Sequence, residues 1–256
     1  MRYIRPMERY FLELSYLGTA YAGFQIQQNA STIQSEVEKA LEIFFRRKIE
    51  LTGSSRTDAG VHSLQNYFHF DDAGEIKPSA VYNLNALLPP DISIKRLTRM
   101  APSSHSRFDA ISREYRYYIY KEKNPFLNDR AYFYPYPLDL GLLNQAASII
   151  MNENDFSSFS KRRTQVKTYL CKIESSQWQN ENDSLVYYVK ANRFLRGMVR
   201  GLVGTMLQVG RGKISLNEFK QIIESRDATN ADFAVPAHGL FLVSVNYPEA
   251  YFTSSP

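Results

Sequence analysis

The spacing of apolar residues changes repeatedly along the first hundred residues, and this alternation is what most constrains the fold. Between residues 32 and 47 apolar side chains recur every three or four positions, which predicts an amphipathic helix. Ser31-Thr32-Ile33-Gln34 fits a capping box at its start. Shorter stretches rich in aromatic and β-branched residues predict strands. The resulting order is β-α-β-β-α-β, with strands at 9–16, 49–52, 66–70 and 92–97 and a second helix at 79–88.

The second half of the chain repeats this outline loosely. A strand of nearly continuous aromatics is predicted at 114–120, and the segments that follow it are helices at 142–151, 193–209 and 216–224, a hairpin of strands 167–178 and 184–191, and a closing strand at 239–245. The pattern predicts an α+β protein of two similar halves, each a mainly antiparallel sheet with helices on one face, with an active-site cleft between them. We expect the N-terminal half to span residues 1–105 and the C-terminal half 106–256.

Composition excludes several classes of protein. With 44% apolar and 22% charged residues, the chain is too apolar to be intrinsically disordered. A formal net charge of +5 permits a polyanionic partner without requiring one. The single cysteine, Cys171, excludes an internal disulfide. Apolar runs stay well short of the roughly 18 residues of a membrane span, and the first nine residues carry charges where a signal peptide is apolar. We therefore expect a soluble cytoplasmic protein.

Motifs for metal and nucleotide cofactors are missing from the sequence. The four histidines are scattered without ligand spacing, so they predict no zinc site. Gly210-Arg211-Gly212-Lys213 looks faintly like a phosphate loop, but Leu207 and Ile214 stand where that motif needs Gly and Ser or Thr. No dinucleotide-binding fingerprint follows a predicted strand. We expect the protein to work without a metal, nucleotide or organic cofactor.

The segment from Ser54 to His62, which reads SSRTDAGVH, is the most unusual in the chain. Its small residues allow a tight turn, and Gly60 can adopt positive φ. One interpretation is a surface turn in which Asp58 bonds its own backbone. The other is a nucleophilic or general-base carboxylate at Asp58, which Arg56 orients and keeps charged. The residues of the segment alone leave both interpretations open.

The segment also resembles the central R-T-D-A-G-V-H pattern of the tRNA pseudouridine synthase A family. Seven further stretches resemble the family in the same order, over residues 16–240. They are Tyr16-x-Gly18-Thr19 with Gln25-x-Gln27, Leu84-Asn85-x-Leu87-Leu88-Pro89-x-Asp91-Ile92, Arg107-Phe108-Asp109-Ala110, Arg113-x-Tyr115-Arg116-Tyr117, Asp155-Phe156-Ser157-Ser158-Phe159, Asn192-x-Phe194-x-x-x-Met198-Val199-Arg200 and Pro236-Ala237-x-Gly239-Leu240. A single short match of this kind would be weak, whereas eight in order are specific.

The resemblance implies isomerisation of uridine to pseudouridine in the anticodon stem-loop of tRNA, at positions 38, 39 and 40. It implies that Asp58 is the catalytic carboxylate, which either adds to C1′ of the ribose or removes the C2′ proton. Arg56 would either fill the gap that the flipped base leaves in the stem or hold the extruded nucleotide. Tyr115 would stack on the uracil and assist removal of the C5 proton, and Arg200 would pair with Asp58. The family needs no cofactor, and it implies a homodimer because one tRNA would span both subunits.

Further residues are candidates for binding the substrate. Gly239 and Leu240 match a segment that lines the uracil pocket in the family, although a core strand explains them equally well. Lys161, Arg162 and Arg163 form a basic run that could contact phosphates or could simply be solvated. The predicted helix at 193–209 puts Arg196 on one face with Arg200 and aligns three glycines, Gly197, Gly201 and Gly204. That glycine stripe indicates close approach by another backbone, either of protein or of nucleic acid.

Three positions depart from the family pattern: Ser55 replaces a common glycine, Leu17 a common aspartate, and Asn66 belongs to an unusual segment after His62. None of these changes removes a predicted catalytic residue. Ser55 bears on the geometry of the turn, and Leu17 and Asn66 leave open an altered target position or RNA. Two other functions stay open at this stage. One is a catalytically inactive tRNA-binding or RNA-folding module, and the other is a synthase of this family that acts on a different RNA.

Overall fold

The computed structural model describes residues 7–161 and 166–253. Within these ranges the chain forms nine strands and five α-helices, with short 3₁₀ turns at Ser157–Phe159 and Ala237–Gly239. The strands are β1 (Glu8–Tyr16), β2 (Thr52–Gly53), β3 (His62–Asp72), β4 (Ile92–Met100), β5 (Ser112–Tyr120), β6 (Tyr132–Phe133), β7 (Ile173–Glu181), β8 (Ser184–Ala191) and β9 (Leu240–Asn246). The helices are α1 (Ile33–Phe45), α2 (Ala80–Leu87), α3 (Leu140–Met151), α4 (Met198–Gly210) and α5 (Leu216–Glu224). The predicted α+β class is confirmed.

The chain folds into two compact units. The first contains the described residues up to Ile111 and those from Leu242 onwards, and the second contains Ser112–Phe241. In the first unit β1 lies between β3 and β4 and pairs antiparallel with both, while β2 pairs with β3. In the second unit β8 lies between β5 and β7 in antiparallel register, and β6 runs parallel to β5. The C-terminal segment therefore returns to the unit in which the chain began.

Helices α1 and α2 cover one face of the first unit's sheet. Alternate residues of β1 point to this face, and they pack with apolar residues of both helices in a single buried core. Helix α1 contributes Val37 and Leu41, and α2 contributes Leu84, each with no measurable exposure. Burying aliphatic side chains of this size stabilises a fold by about 1.5–3 kcal/mol each. The amphipathic spacing at 32–47 thus corresponds to a real core-facing helix.

The opposite face of this sheet is covered by aromatic residues from the end of the chain. Phe11 of β1 packs edge-on against Tyr247 and Phe252, and Tyr67 of β3 stacks on Phe252 with ring centroids 5.5 Å apart. Phe11 also stacks on His69 at 5.7 Å. Both faces of the sheet are therefore buried, which explains why β3 is buried at nearly every position rather than at alternate ones.

Each unit protects an edge strand with an asparagine from a helix. In the first unit Asn85 of α2 donates to the carbonyl of Ile94 and accepts from its N–H, both at 2.8 Å. In the second unit Asn144 of α3 does the same to Trp178 of β7, at 3.0 and 2.8 Å. A primary amide carries one donor side and one acceptor side, so it replaces the missing neighbour at one residue of an edge strand.

Several predicted boundaries differ from the observed ones, and three of the differences have a clear structural cause. Helix α1 is capped by Thr32 with Ser35 as its reciprocal partner, one residue later than the predicted capping box. The first hairpin strand begins at Ile173, because Leu170 and Cys171 pair with the segment around Asn154 instead. Helix α4, the second helix of the second half, begins at Met198 and not at 193. The reason is that Gly197 has φ +75°, a left-handed conformation that ends the helix on its N-terminal side.

None of the helices in the described ranges is long and apolar enough to cross a membrane.

The packing of His69 predicts a loss of stability in mild acid. Burial and the charge of Arg9 lower the pKa of His69 from 6.5 to about 4, so protonation favours the unfolded chain. The stability due to neutral His69 is complete above pH 6.5 and is lost as the pH falls towards 4. At pH 4.5 the free energy of unfolding should be lower by about 2–3 kcal/mol from this group.

Urea unfolding of the parent and of His69→Gln between pH 7 and 4.5 checks this expectation. The variant cannot titrate at this position, so its stability should fall less steeply over the same range. His105, whose pKa burial also lowers, is in ring contact with His69 at 4.6 Å, so the comparison reports the titration of this pair. Parallel pH profiles for the two proteins would contradict the assignment.

Candidate active site

The loop between β2 and β3 carries the two predicted catalytic residues of the first unit. Arg56 is exposed and Asp58 is half-buried. The N–H of Val61 donates to the carbonyl of Asp58 at 3.2 Å and closes a turn, in which Gly60 has φ +79°. The predicted positive φ at Gly60 is confirmed. The turn leaves the side chains of Arg56 and Asp58 on a short, tightly bent segment.

Asn66 of β3 holds the first part of this loop. Its side chain has no exposure. The amide oxygen Oδ1 accepts from Ser54 Oγ at 2.7 Å and from the N–H of Tyr67 at 2.9 Å. The amide nitrogen Nδ2 donates to the carbonyl of Ser55 at 2.9 Å and to the Tyr16 hydroxyl at 3.2 Å. All the donors and both acceptor sites of one buried amide are therefore in use.

Tyr16 and Thr57 extend this network to the residue before Asp58. The Tyr16 hydroxyl and Thr57 Oγ1 are hydrogen-bonded at 2.9 Å, and both residues are buried. The carbonyl of Thr57 accepts from the N–H of Phe24 at 3.1 Å. Burial raises the pKa of Tyr16 to about 12, so the hydroxyl stays protonated at neutral pH. Side chain and backbone of Thr57 are thus both fixed.

Residues 18–24 pack closely against the backbone of this loop. A Cβ at Gly18 would lie 2.0 Å from the carbonyl oxygen of Val61, and a Cβ at Gly23 would lie 3.0 Å from that of Thr57. The N–H of Gly18 also donates to Nδ1 of His62 at 3.0 Å, so the neutral ring of His62 carries its proton on Nε2. Tyr16 and Gly18 belong to one of the family motifs, but the sequence predicted no role for either residue. Their contacts lie more than 40 residues away in the chain, where no local pattern reveals them.

In the second unit, Tyr115 lies on β5 with 8% of its surface exposed. Its ring meets that of Phe194 edge to face, with centroids 5.0 Å apart. Tyr117, two residues further on the same face, donates its hydroxyl to the carbonyl of Pro236 at 2.7 Å and is fully buried. Tyr117 and Tyr120 are core residues, whereas Tyr118 is half-buried and packs on Phe241.

Arg200 is the third residue of α4, and its guanidinium is oriented by backbone carbonyls. Nε donates to the carbonyl of Val235 at 2.8 Å and Nη2 to that of Phe233 at 3.3 Å. These bonds use two of the five N–H donors that an arginine carries. Since the guanidinium is planar, two such bonds fix the direction in which its other edge points.

The glycines of α4 are explained by packing within the protein. A Cβ at Gly204 would lie 2.2 Å from the carbonyl oxygen of Asp232, and one at Gly201 would lie 2.7 Å from the ring of Phe233. The approaching backbone is therefore the segment 232–235, the same segment that orients Arg200. Thr205 supports it by accepting from the N–H of Asp232 at 3.0 Å.

Arg196 precedes α4, so the expectation that it shares a helix face with Arg200 is wrong. Its carbonyl accepts from the N–H of Lys161 at 2.9 Å, and the aliphatic part of the Lys161 side chain lies over Gly197. Arg196 and Lys161 are therefore brought together. Arg162 and Arg163 lie outside the described residues.

Gly239 and Leu240 connect the last 3₁₀ turn to β9. A Cβ at Gly239 would lie 2.7 Å from the ring of Tyr117, so only glycine fits against that ring without displacement. Leu240 is 6% exposed. The segment 233–239 contains Gly239 and accepts hydrogen bonds from Arg200 and from Tyr117, so it joins two of the predicted positions, Arg200 and Gly239, to a core residue. Within the described ranges, no cluster of His, Cys, Asp or Glu could hold a metal ion.

Comparison with known proteins identifies the family. The sequence model of the tRNA pseudouridine synthase family matches residues 14–109 and 146–248. The chain belongs to the tRNA pseudouridine synthase family. Relatives named tRNA pseudouridine synthase A include proteins of Bacteroides fragilis, 45% identical over 96% of this chain and 99% of the relative, and of Parabacteroides distasonis, 43% identical over 96% and 98%. A relative of the same name from Staphylococcus aureus is 35% identical over 94% and 92%.

These matches confirm the predicted family, and with it the enzyme class: an isomerase that converts uridine to pseudouridine in tRNA. The matched residues 14–109 contain the loop with Arg56 and Asp58 and the segment 18–24 that packs against it. The matched residues 146–248 contain α4 and the segment 233–239. Tyr115 lies in the interval between the two matched ranges.

The contact between Gly204 and Asp232 predicts that Gly204→Ala destabilises the protein. The added methyl group would meet a backbone carbonyl and displace the segment that orients Arg200. Overpacking of this kind costs about 1–3 kcal/mol, which outweighs the gain of roughly 1 kcal/mol in helix propensity.

Gly201→Ala is the matched control, because its methyl group would meet the end of the Phe233 ring, which can rotate away. Urea unfolding should give a smaller loss for Gly201→Ala than for Gly204→Ala. If Gly204→Ala is as stable as the parent, the close approach of segment 232–235 is not what requires glycine there.

Proposed function

We propose that this chain converts uridine to pseudouridine at positions 38, 39 and 40 of the anticodon stem-loop of tRNA. The observation that carries the proposal is the loop at 54–61, in which a half-buried carboxylate, Asp58, is presented on a backbone fixed from beneath by buried hydrogen bonds. Its position within the family match supports the assignment. A turn that served only to connect β2 and β3 would not need such a support.

The reaction exchanges one bond of the ribose for another. The N1–C1′ bond breaks, the uracil turns, C5 bonds to C1′, the C5 proton leaves and N1 gains a proton. Cleavage makes the ribose electron-poor, and an ionised carboxylate is suited to that charge. Asp58 either adds to C1′ or removes the C2′ proton, and the proposal leaves both routes open. Neither route needs a metal or an organic cofactor.

The other predicted site residues have proposed roles that follow from their surroundings. Arg56, exposed on the loop, would hold the flipped nucleotide, whose extrusion costs a few kcal/mol. Tyr115 would stack on the uracil and assist loss of the C5 proton. Arg200, with its guanidinium oriented by two carbonyls, would pair with Asp58. In this proposal residues 1–105 supply the carboxylate, and residues 106–256 complete the cleft.

Binding of the RNA is assigned to basic and small residues of the second half. Lys161, Arg196, Arg162 and Arg163 would contact phosphates, which position an RNA without reading its sequence. Gly239 and Leu240 would line the uracil pocket. The pairing of Lys161 with the backbone of Arg196 supports a shared role for these two residues.

We also propose that the protein acts in the cytoplasm as a homodimer, with one tRNA spanning both subunits. Light scattering coupled to gel filtration tests the dimer. The expected mass is about twice the 29.6 kDa of one chain. A single species at the mass of one chain, both alone and with tRNA, would contradict it.

Release of tritium from tRNA labelled at C5 of uridine tests the reaction and the role of Asp58. Formation of the C5–C1′ bond must expel this hydrogen. The parent should release it, and Asp58→Asn should be slower by about 10³-fold or more, because an amide provides neither an anionic nucleophile nor a base. Asp183→Asn, at an exposed hairpin turn, is the control and should retain the parental rate.

The same assay separates the alternatives. If neither the parent nor Asp58→Asn releases tritium while both still bind tRNA, the chain is a binding or RNA-folding module and the proposed function fails. Mapping of the modified positions separates the other alternative, a synthase of this family that acts on a different RNA.

A further inference from the structure

Asn66 and Tyr16 form a buried polar support under the loop that carries Asp58. An amide and a phenol hydroxyl are costly to bury unless their hydrogen bonds are satisfied. Here Asn66 has no exposure and Tyr16 has 4%, and both are bonded to the loop. Neither residue is an expected catalytic group.

The partners of Asn66 define its orientation without ambiguity. The N–H of Tyr67 can only donate, so the atom facing it must be Oδ1, and the carbonyl of Ser55 can only accept, so the atom facing it must be Nδ2. A flipped amide or a carboxylate at this position would bring two acceptors together at Ser55. The site therefore specifies an amide in one orientation.

The hydrogen bonds of Asn66 and Tyr16 reach the loop residues that directly precede Arg56 and Asp58. Asn66 bonds Ser54 and Ser55, directly before Arg56, and Tyr16 bonds Thr57, directly before Asp58. The carbonyl of Thr57 is held as well, by the N–H of Phe24. Because the backbone is fixed on both sides of Arg56 and up to Asp58, the directions of these two side chains follow from the network below them.

We propose that Asn66 and Tyr16 are positioning residues for Asp58: through Ser54, Ser55 and Thr57 they fix the backbone from which the carboxylate projects. The inference rests on the proposed function, since it takes Asp58 to be the reacting group. A misplacement of a reacting group by about 1 Å can cost about 100-fold in rate, so loss of the support should slow the chemical step and leave tRNA binding nearly unchanged.

The test uses conservative variants of the network and a matched control. Tyr16→Phe and Thr57→Val each remove a hydroxyl without removing volume, and Thr57→Ser retains it. Tyr187→Phe is the control, because Tyr187 is equally buried and its hydroxyl is hydrogen-bonded to Ser176, at 2.9 Å, in the second unit. Asn66→Asp places a carboxylate oxygen against the Ser55 carbonyl.

Single-turnover rates, tRNA dissociation constants and unfolding midpoints are measured for each variant. Tyr16→Phe and Thr57→Val should slow pseudouridine formation by about tenfold or more with dissociation constants within about twofold of the parent. The double variant Tyr16→Phe/Thr57→Val should be hardly slower than either single variant, because both changes remove the same hydrogen bond. Thr57→Ser, which keeps a hydroxyl, should retain most of the parental rate. Tyr187→Phe should lose similar stability at an unchanged rate. Since Tyr16 stays protonated at neutral pH, the shape of the pH–rate profile should not change.

Tryptic cleavage after Arg56 gives a second readout that does not depend on activity. Loosening the loop should speed this cleavage several-fold in Tyr16→Phe but not in Tyr187→Phe. An unchanged cleavage rate overturns the inference, even if the parent makes no pseudouridine and the proposed function fails. With an active parent, equal rates for Tyr16→Phe and the parent overturn it, and so does an equal slowing in Tyr187→Phe.

Discussion

The buried amide of Asn66 is the interaction on which the N-terminal part of the molecule depends. It joins β3 to the loop at 54–57 and, through the Tyr16 hydroxyl, to the end of β1. A buried polar group is stable only when its bonds are made together, so sheet and loop must assemble as one. Other loop conformations would leave the buried amide of Asn66 without hydrogen-bond partners, and the free energy that this costs makes them unfavourable. The fold and the presentation of Asp58 are therefore determined by the same contacts.

The second unit fixes its charged side chain by a different physical means. Arg200 is oriented by backbone carbonyls of segment 233–235, and that segment can approach α4 only because Gly201 and Gly204 have no side chains. In the first unit, side chains that form hydrogen bonds fill the space under the loop. In the second unit, the absence of side chains at Gly201 and Gly204 lets the segment 232–235 pack directly against α4. In both cases a charged group projects from a rigid support, which suits electrostatic stabilisation of a transition state.

The sequence predicted what depends on local pattern. Helix α5 was predicted at its observed bounds, since a capping box and amphipathic spacing define it, and the order of elements in the first unit was correct. The start of α4 was missed because Gly197 adopts positive φ next to Lys161, a residue distant in the chain. The family motifs identified Arg56 and Asp58, but the support under them depends on Tyr16 and Asn66, which come together only in the folded sheet.

The structure shows what the three residues that depart from the family pattern contact. Asn66 is fully buried and its bonds all end within the protein, so its side chain cannot read an RNA. Its contact at Ser55 uses a main-chain carbonyl, which any residue provides. A change at a buried polar position is tolerated only if every bond is still satisfied, and the amide of Asn66 meets that condition. Of the three departures, Leu17 has the exposed side chain, and a difference in target choice is therefore to be sought there rather than under the loop.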